Sequence, residues 1–133
     1  MIKMPHIVII GAGFGGLAAA VKLAGKDVRV TLIDRQNHHL FQPLLYQLAT
    51  AAVDASAIAW PVRALFRKHS NVDCLMGEIT GIDPVRKCVL LKNDEIHYDK
   101  LIIATGNVPN YFGNEALEKH TMPLKKLEHA LDI

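Results

Sequence analysis

Between residues 6 and 16 the chain passes from an unbroken apolar run, His6-Ile7-Val8-Ile9-Ile10, into four glycines within six positions, Gly11-Ala12-Gly13-Phe14-Gly15-Gly16. The β-branched run reads as a central strand, apolar on both faces. From Phe14 to about Ala24 the composition turns to Leu, Ala and Val. Leu17, Ala20, Val21 and Ala24 recur at helical spacing, with Gly25 as the C-terminal stop. Val28 to Asp34 is then a second strand ending in an acid. Strand, glycine turn, helix and strand make one βαβ unit, whose crossover is expected to be right-handed.

The glycine pattern suits a turn that cradles a pyrophosphate. Gly11 allows the tight turn off the strand, Gly13 lets backbone approach the phosphates, and Gly16 lets the helix pack closely on the sheet. The helix N-terminus offers unpaired N–H donors and a partial positive charge to the same anion. Alone, the motif is weak, since glycines at a strand–helix junction also serve packing. Here it follows a strand, opens a helix, and is answered by Asp34, 18 residues after Gly16, near the roughly 20 expected of the acid that takes the adenosine ribose hydroxyls. An acid there repels a 2′-phosphate, although the adjacent Arg35 softens that argument.

The 133 residues suffice for one domain with a real core. Half the chain is apolar and 21% is charged, which excludes a disordered tail. The net charge of +2 is weak and the basic residues are scattered, so no nucleic-acid groove is expected. No apolar run reaches the ~18 residues of a membrane span. Lys3 followed by the apolar stretch Ile7 to Val21 imitates a signal peptide, but the four glycines fit a strand–turn–helix better. Cys74 and Cys88 stand 14 positions apart, match no metal or redox spacing, and read as small buried hydrophobes of a reduced, cytoplasmic protein. The seven histidines form no metal set. His38 and His39 are adjacent on a loop and read as solvated or locally hydrogen-bonded.

Beyond Asp34, residues Asn37 to Pro43 read as a loop, Leu44 to Ala52 as a helix starting after the proline, and Ser56 to Lys68 as an amphipathic helix. Ile58, Val62, Leu65 and Phe66 would face inward, and Pro61 could delay the helix start. Val72–Met76, Ile79–Ile82, Cys88–Leu91 and Ile96–Tyr98 read as strands of a small antiparallel meander, with turns at Asp83-Pro84 and Asn93-Asp94. Lys100 to Gly106 is a buried strand, Asn107 to Pro123 a loop, and Leu124 to Leu131 a helix. The expected class is α/β: a Rossmann-like half-domain with a parallel sheet plus a small antiparallel β-meander.

A simple nicotinamide dehydrogenase domain continues with further strand–helix crossovers after its second strand. Here a meander leads to Leu101-Ile102-Ile103-Ala104-Thr105-Gly106. In this order the chain resembles the two-dinucleotide flavoprotein oxidoreductases of the glutathione-reductase class. Their N-terminal glycine turn holds FAD, and an Ala-Thr-Gly strand end closes over it. The stretch His39-Leu40-Phe41-Gln42-Pro43-Leu44-Leu45-Tyr46-Gln47 narrows the resemblance to the type II NADH dehydrogenases, single-subunit NADH:quinone oxidoreductases that pump no protons. Ala59-Trp60-Pro61-Val62-Arg63 and Gly77-Glu78-Ile79-Thr80 suit bacterial members. The resemblance runs from Pro5 to Asp132, and Phe41 to Tyr46 is its most specific part.

That resemblance implies FAD as cofactor, with Gly11, Gly13, Phe14, Gly15 and Gly16 on the pyrophosphate and Asp34 and Arg35 by the ribose. It places the Ile79 backbone at adenine, Ala104, Thr105 and Gly106 along the cofactor, and Leu44 and Leu45 toward the flavin. Read as residues alone, the two leucines are core packing. It implies NADH and a quinone as substrates, a possible homodimer, and a peripheral place on the cytoplasmic face of the inner membrane through a C-terminal segment. Residues 1–133 would then be the N-terminal portion of the FAD-binding domain, with no catalytic side chain among them. Leu40 to Ile58 lacks the cysteine pair of the disulfide reductases of this class. Two other readings stay open: a different pyridine nucleotide-dependent flavoprotein reductase, or a non-catalytic dinucleotide-binding module.

Overall fold

The computed structural model describes residues 4–133, so Lys3 lies outside the described residues. His6–Ile10 (β1) pairs in parallel with Arg29–Asp34 (β2), and Ile9 stands opposite Leu32. Phe14–Leu23 (α1) makes the crossover, and Gly25, at φ +72°, follows its cap as a left-handed stop. Lys100–Ile103 (β9) pairs with the other edge of β1, also in parallel.

Alternation along β1 and β2 divides the core into two layers. Ile9, Val30 and Leu32 face α1 and pack with Ala20, Val62 and Phe66. Val8, Ile10 and Ile33 face the other way and pack with Val89. With both faces covered, β1 is apolar from Ile7 to Ile10, and Val8 and Ile9 are fully buried.

Several sequence expectations change. Val72–Met76 (β5) is not part of the meander. It pairs in parallel with β2, so the sheet order is β5-β2-β1-β9. Val62–Leu65 (α4) lies in the connection and supplies the helical crossover that a parallel pair needs. The meander is therefore Ile79–Asp83 (β6), Cys88–Leu91 (β7) and Glu95–His97 (β8) alone. Its first turn is held by Asp83, whose Oδ1 accepts the Val85 and Arg86 N–H groups at 3.0 and 2.9 Å.

The single helix expected over Ser56 to Lys68 is broken into Ala55–Ile58 (α3), Ala59–Pro61 (β4) and α4. Pro61 has no N–H to donate and forces the residue before it out of the helical region. Val62 and Phe66 are buried as expected, but Leu65 is 45% exposed because the helix ends there. The supposed loop at Asn37–Pro43 contains His38–Leu40 (β3), which forms a two-stranded ribbon with β4.

A second compact unit comprises Leu40–Trp60 and Asn107–Ile133. After a 3-10 turn at Gln42–Leu44 come Leu45–Ala49 (α2), then α3, and later Glu115–His120 (α5) and Leu127–Leu131 (α6). The α5 helix falls where a loop was expected; Asn114 caps it by accepting the Leu117 N–H at 3.1 Å. Leu45, Leu48, Ile58 and Ala130 form this unit's core. Among the described residues no helix is long and apolar enough to cross a membrane.

Candidate dinucleotide site

Backbone steric limits shape the turn between β1 and α1. Gly11 sits at φ +98° and donates its N–H to the Ile33 carbonyl at 2.7 Å. A Cβ on Gly11 would lie 2.3 Å from the Ala104 carbonyl oxygen, and one on Gly16 only 1.7 Å from the Gly11 carbonyl oxygen. A Cβ on Gly13 would meet nothing within 4 Å, and Gly13 is exposed. Gly11 therefore closes the turn against the backbone that ends β9 and Gly16 against the turn itself, while Gly13 leaves room for a ligand. The head of α1 carries no acidic side chain, and Gly13, its N-cap, has none to cap with. Its first N–H groups are thus left for an anion.

Asp34, at the end of β2, is tied to this turn. Its Oδ2 accepts the Ala12 N–H at 2.6 Å and its Oδ1 the Gln36 N–H at 2.8 Å. These bonds fix the carboxylate at the wall of a cleft of about 270 Å³, lined also by Ala12, Gln36, Asn37, Arg63 and Met76. Arg63, another lining residue, donates from Nε to the Cys74 carbonyl at 3.3 Å, which holds its guanidinium in place. Burial pushes the Cys74 thiol up, and the Asp73 carboxylate adds to this against the opposing pull of Arg63. The group stays a protonated, poorly nucleophilic thiol.

The structure brings Gly11, Gly13, Phe14, Gly15 and Gly16 together with Asp34 and Ala104. Ala104 donates its N–H to the Ile10 carbonyl at 2.8 Å and packs against the turn, so β9 ends beside the glycines. Thr105 and Gly106 follow, exposed, with Gly106 at φ +73°. Arg35 is exposed and does not line the cleft; Gln36 and Asn37 stand there instead. Ile79, half-buried, packs in the layer of Val8 and Ile33. Leu45 is buried in the core of the second unit, with Leu44 packed against it.

Sequence reasoning missed Asn37, Arg63 and His39. His39 is buried, its Nδ1 lies 2.8 Å from the Ala12 carbonyl oxygen, and its ring meets Phe14 edge-on at 5.4 Å. Its strand, β3, was hidden in a segment that reads as loop. Arg63 could have been found from Pro61, which sets the start of a helix whose first turn faces the end of β2.

A profile of one family, the pyridine nucleotide-disulphide oxidoreductases, matches residues 5–133. The chain belongs to this family. Among curated relatives it is 44% identical over 132 residues to the type II NADH:quinone oxidoreductase Ndh of Mycobacterium tuberculosis, covering 96% of this chain and 28% of that protein. It is 41% identical to NdhA of the same organism, with the same coverage. Among solved structures it superposes on the NDH2 of Plasmodium falciparum in complex with NADH with a TM-score of 0.88 at 27% identity, covering 98% of this chain and 28% of that one. It also superposes on the sulfide:quinone oxidoreductase of Aquifex aeolicus with a TM-score of 0.84 at 31% identity, covering 96% of this chain and 30% of that one. The chain thus spans less than a third of the length of these members and relatives. The superposition on the Plasmodium NDH2 bears out the α/β fold expected from the sequence.

Proposed function

We propose that this chain is the adenosine-diphosphate-binding portion of an FAD-dependent NADH:quinone oxidoreductase. The observation that carries the reading is the Asp34 carboxylate, which holds the Ala12 N–H of the glycine turn and faces a cleft at the end of β2. Each oxygen accepts one backbone N–H and keeps lone pairs for a second donor, such as a ribose hydroxyl. The residues fit the group: the open side of Gly13 admits backbone approach by a pyrophosphate, and the cleft beside Asp34 admits the adenosine end.

In this reading the residues bind and orient; none transfers a proton or forms a bond to substrate. Gly13, Phe14, Gly15 and Gly16 present N–H groups to the phosphates, Asp34 takes the ribose, and Ala104, Thr105 and Gly106 border the cofactor from the end of β9. Arg35 lies near the ribose and the Ile79 backbone near adenine. FAD supplies, when bound, a ring system that takes a hydride from NADH and passes two electrons to a quinone. The 44% identity to a mycobacterial type II NADH:quinone oxidoreductase supports NADH and a quinone as the substrates. A peripheral position on the cytoplasmic membrane face and a homodimeric state belong to the same proposal.

Calorimetric titration of the chain with FAD, ADP, NAD and NADP tests the reading. Binding of ADP and FAD is expected, with weaker binding of NAD and NADP. Asp34→Asn should weaken ADP by about tenfold or more, since the amide keeps only one oxygen for the Ala12 and Gln36 N–H groups and loses the charged acceptor for the ribose. NAD bound in preference to FAD would overturn the flavin assignment.

A further inference from the structure

We propose that His39 is a positioning residue of the phosphate turn: by donating from Nδ1 to the Ala12 carbonyl, it turns the Gly13 N–H out toward the dinucleotide. The proposal rests on the nucleotide-binding reading above and assigns a role to a residue outside the glycine motif. His39 and Thr31 are the two buried polar side chains among the described residues, and His39 is 4% exposed. Its Nδ1 lies 2.8 Å from the Ala12 carbonyl oxygen. A carbonyl only accepts, so Nδ1 carries the proton in this bond. The Phe14 ring stands perpendicular to the imidazole at 5.4 Å and fixes its plane.

The consequence for the ligand follows from peptide planarity. All described peptide bonds are trans, so the C=O and N–H of the Ala12–Gly13 peptide point in opposite directions. A carbonyl drawn inward to a buried imidazole sends the Gly13 N–H away from that imidazole, at a residue that is itself exposed. The preceding peptide is fixed too, because the Ala12 N–H donates to Asp34 Oδ2 at 2.6 Å. Asp34 and His39 thus hold Ala12 from its two ends. The Ala12 N–H is used within the protein, which makes Gly13 the first donor of the turn that faces a phosphate.

Two measurements on the chain test this. Long-range 15N–1H spectra of the unliganded protein should show His39 protonated at Nδ1; a neutral ring protonated at Nε2 would overturn the proposal with or without a ligand. The second measurement compares ADP with adenosine as probes. His39→Leu, which leaves the Ala12 carbonyl without its donor, should weaken ADP about tenfold and adenosine less than about threefold. His39→Asn, whose Nδ2 occupies the place of Nδ1, should restore ADP affinity to within about threefold of the parent, whereas His39→Gln, which mimics Nε2, should not. Equal losses for ADP and adenosine, or equal behaviour of the Asn and Gln variants, would reduce His39 to a packing role and overturn the proposal. The flavin assignment fails separately: a chain that binds ADP and shows this pattern but does not bind FAD would keep the His39 role and lose the flavoenzyme reading.

Discussion

The glycine turn of the first unit and the short helices of the second are held in place by different physical means. In the turn, geometry is imposed by backbone. Gly11 and Gly16 stand where no Cβ fits, and Ala12 is bonded at both its N–H and its C=O to side chains from β2 and β3. In the second unit, α2, α3 and α6 are four or five residues long and are held by apolar packing around Leu45, Leu48 and Ile58. Helices so short close one or two internal hydrogen bonds each, far from what a free helix needs. Phe112, Leu117, Met122 and Leu131 of this unit remain largely exposed. The first region tolerates almost no change at particular atoms, whereas the second depends on a modest buried area.

The sharpest test of that contrast uses two glycines three positions apart. Gly16→Ala would put a methyl 1.7 Å from the Gly11 carbonyl oxygen, so the helix must move off the sheet. A loss of at least about 3 kcal/mol in denaturant melts is expected, with loss of nucleotide binding. Gly13→Ala meets no neighbour, and φ −70° with ψ −165° suits alanine. Stability should then change by less than about 0.5 kcal/mol, while ADP binding falls about tenfold or more because the methyl occupies ligand space. Equal stability of the two variants would break the distinction between packing and ligand glycines.

Amide hydrogen exchange extends the comparison to whole elements. Amides of β1 and β2, which have hydrogen-bonded neighbours on both sides, should exchange only through global opening. Those of α2, α3 and α6 should exchange faster by on the order of a hundredfold or more, through local opening. Uniform protection across both units would mean that the second unit's small core is as cooperative as the sheet.

The same contrast explains what could be read in the sequence. The βαβ start was legible because strong local rules act there: β-branched residues in β1, glycines in the turn, and an acid closing β2. Ala104 was legible from its place after the meander. The strand β5 was misassigned because Val72-Asp73-Cys74-Leu75-Met76 says nothing about pairing direction; the short α4 crossover before it decides that. The ribbon strands β3 and β4 were missed because three residues carry no periodicity, and His39 was missed with them. The α5 helix was missed although Asn114 and Glu115 form a recognisable start, because the six-residue helix has no apolar stripe. Asn71 left no signal at all.

Asn71 nevertheless ties the first unit together. Its Oδ1 accepts the Gly25 N–H at 2.8 Å, and its Nδ2 lies within 3.0 to 3.2 Å of the carbonyls of Leu23, Lys26 and Val28. One side chain thus holds the turn that joins α1 to β2. Asn71→Ala should cost about 2 kcal/mol in denaturant melts, because the part-buried Val28 carbonyl and the Gly25 N–H lose their Asn71 partner, while the Leu23 carbonyl keeps the Lys26 N–H. An aspartate at this position could accept from Gly25 but not donate, and should recover little.

The smallest expected effect concerns pH and lies at the opposite end of β1 from the turn. His6 Nε2 lies 2.8 Å from Thr31 Oγ1, and the imidazole is partly buried. Burial and the Arg29 charge lower its pKa below the usual 6.5, outweighing the opposing pull of Asp99, Asp73 and a backbone bond from His97. A lowered histidine pKa means that the unfolded chain takes the proton first as pH falls. Above 6.5 both states are neutral and stability is insensitive to this group; below it the unfolded state binds more protons and stability declines until the folded pKa is passed. The carboxyls of Asp83 and Glu95 are lowered through their bonds to Arg86, so their contribution is lost at more acid pH, below the usual carboxylate range. Thermal melts between pH 7.5 and 5 should therefore show a decline of about one or two degrees that is absent in His6→Asn, with a further decline at lower pH common to both. A His6→Asn protein that kept the first decline would place its origin in another group and remove His6 from the pH response of the sheet.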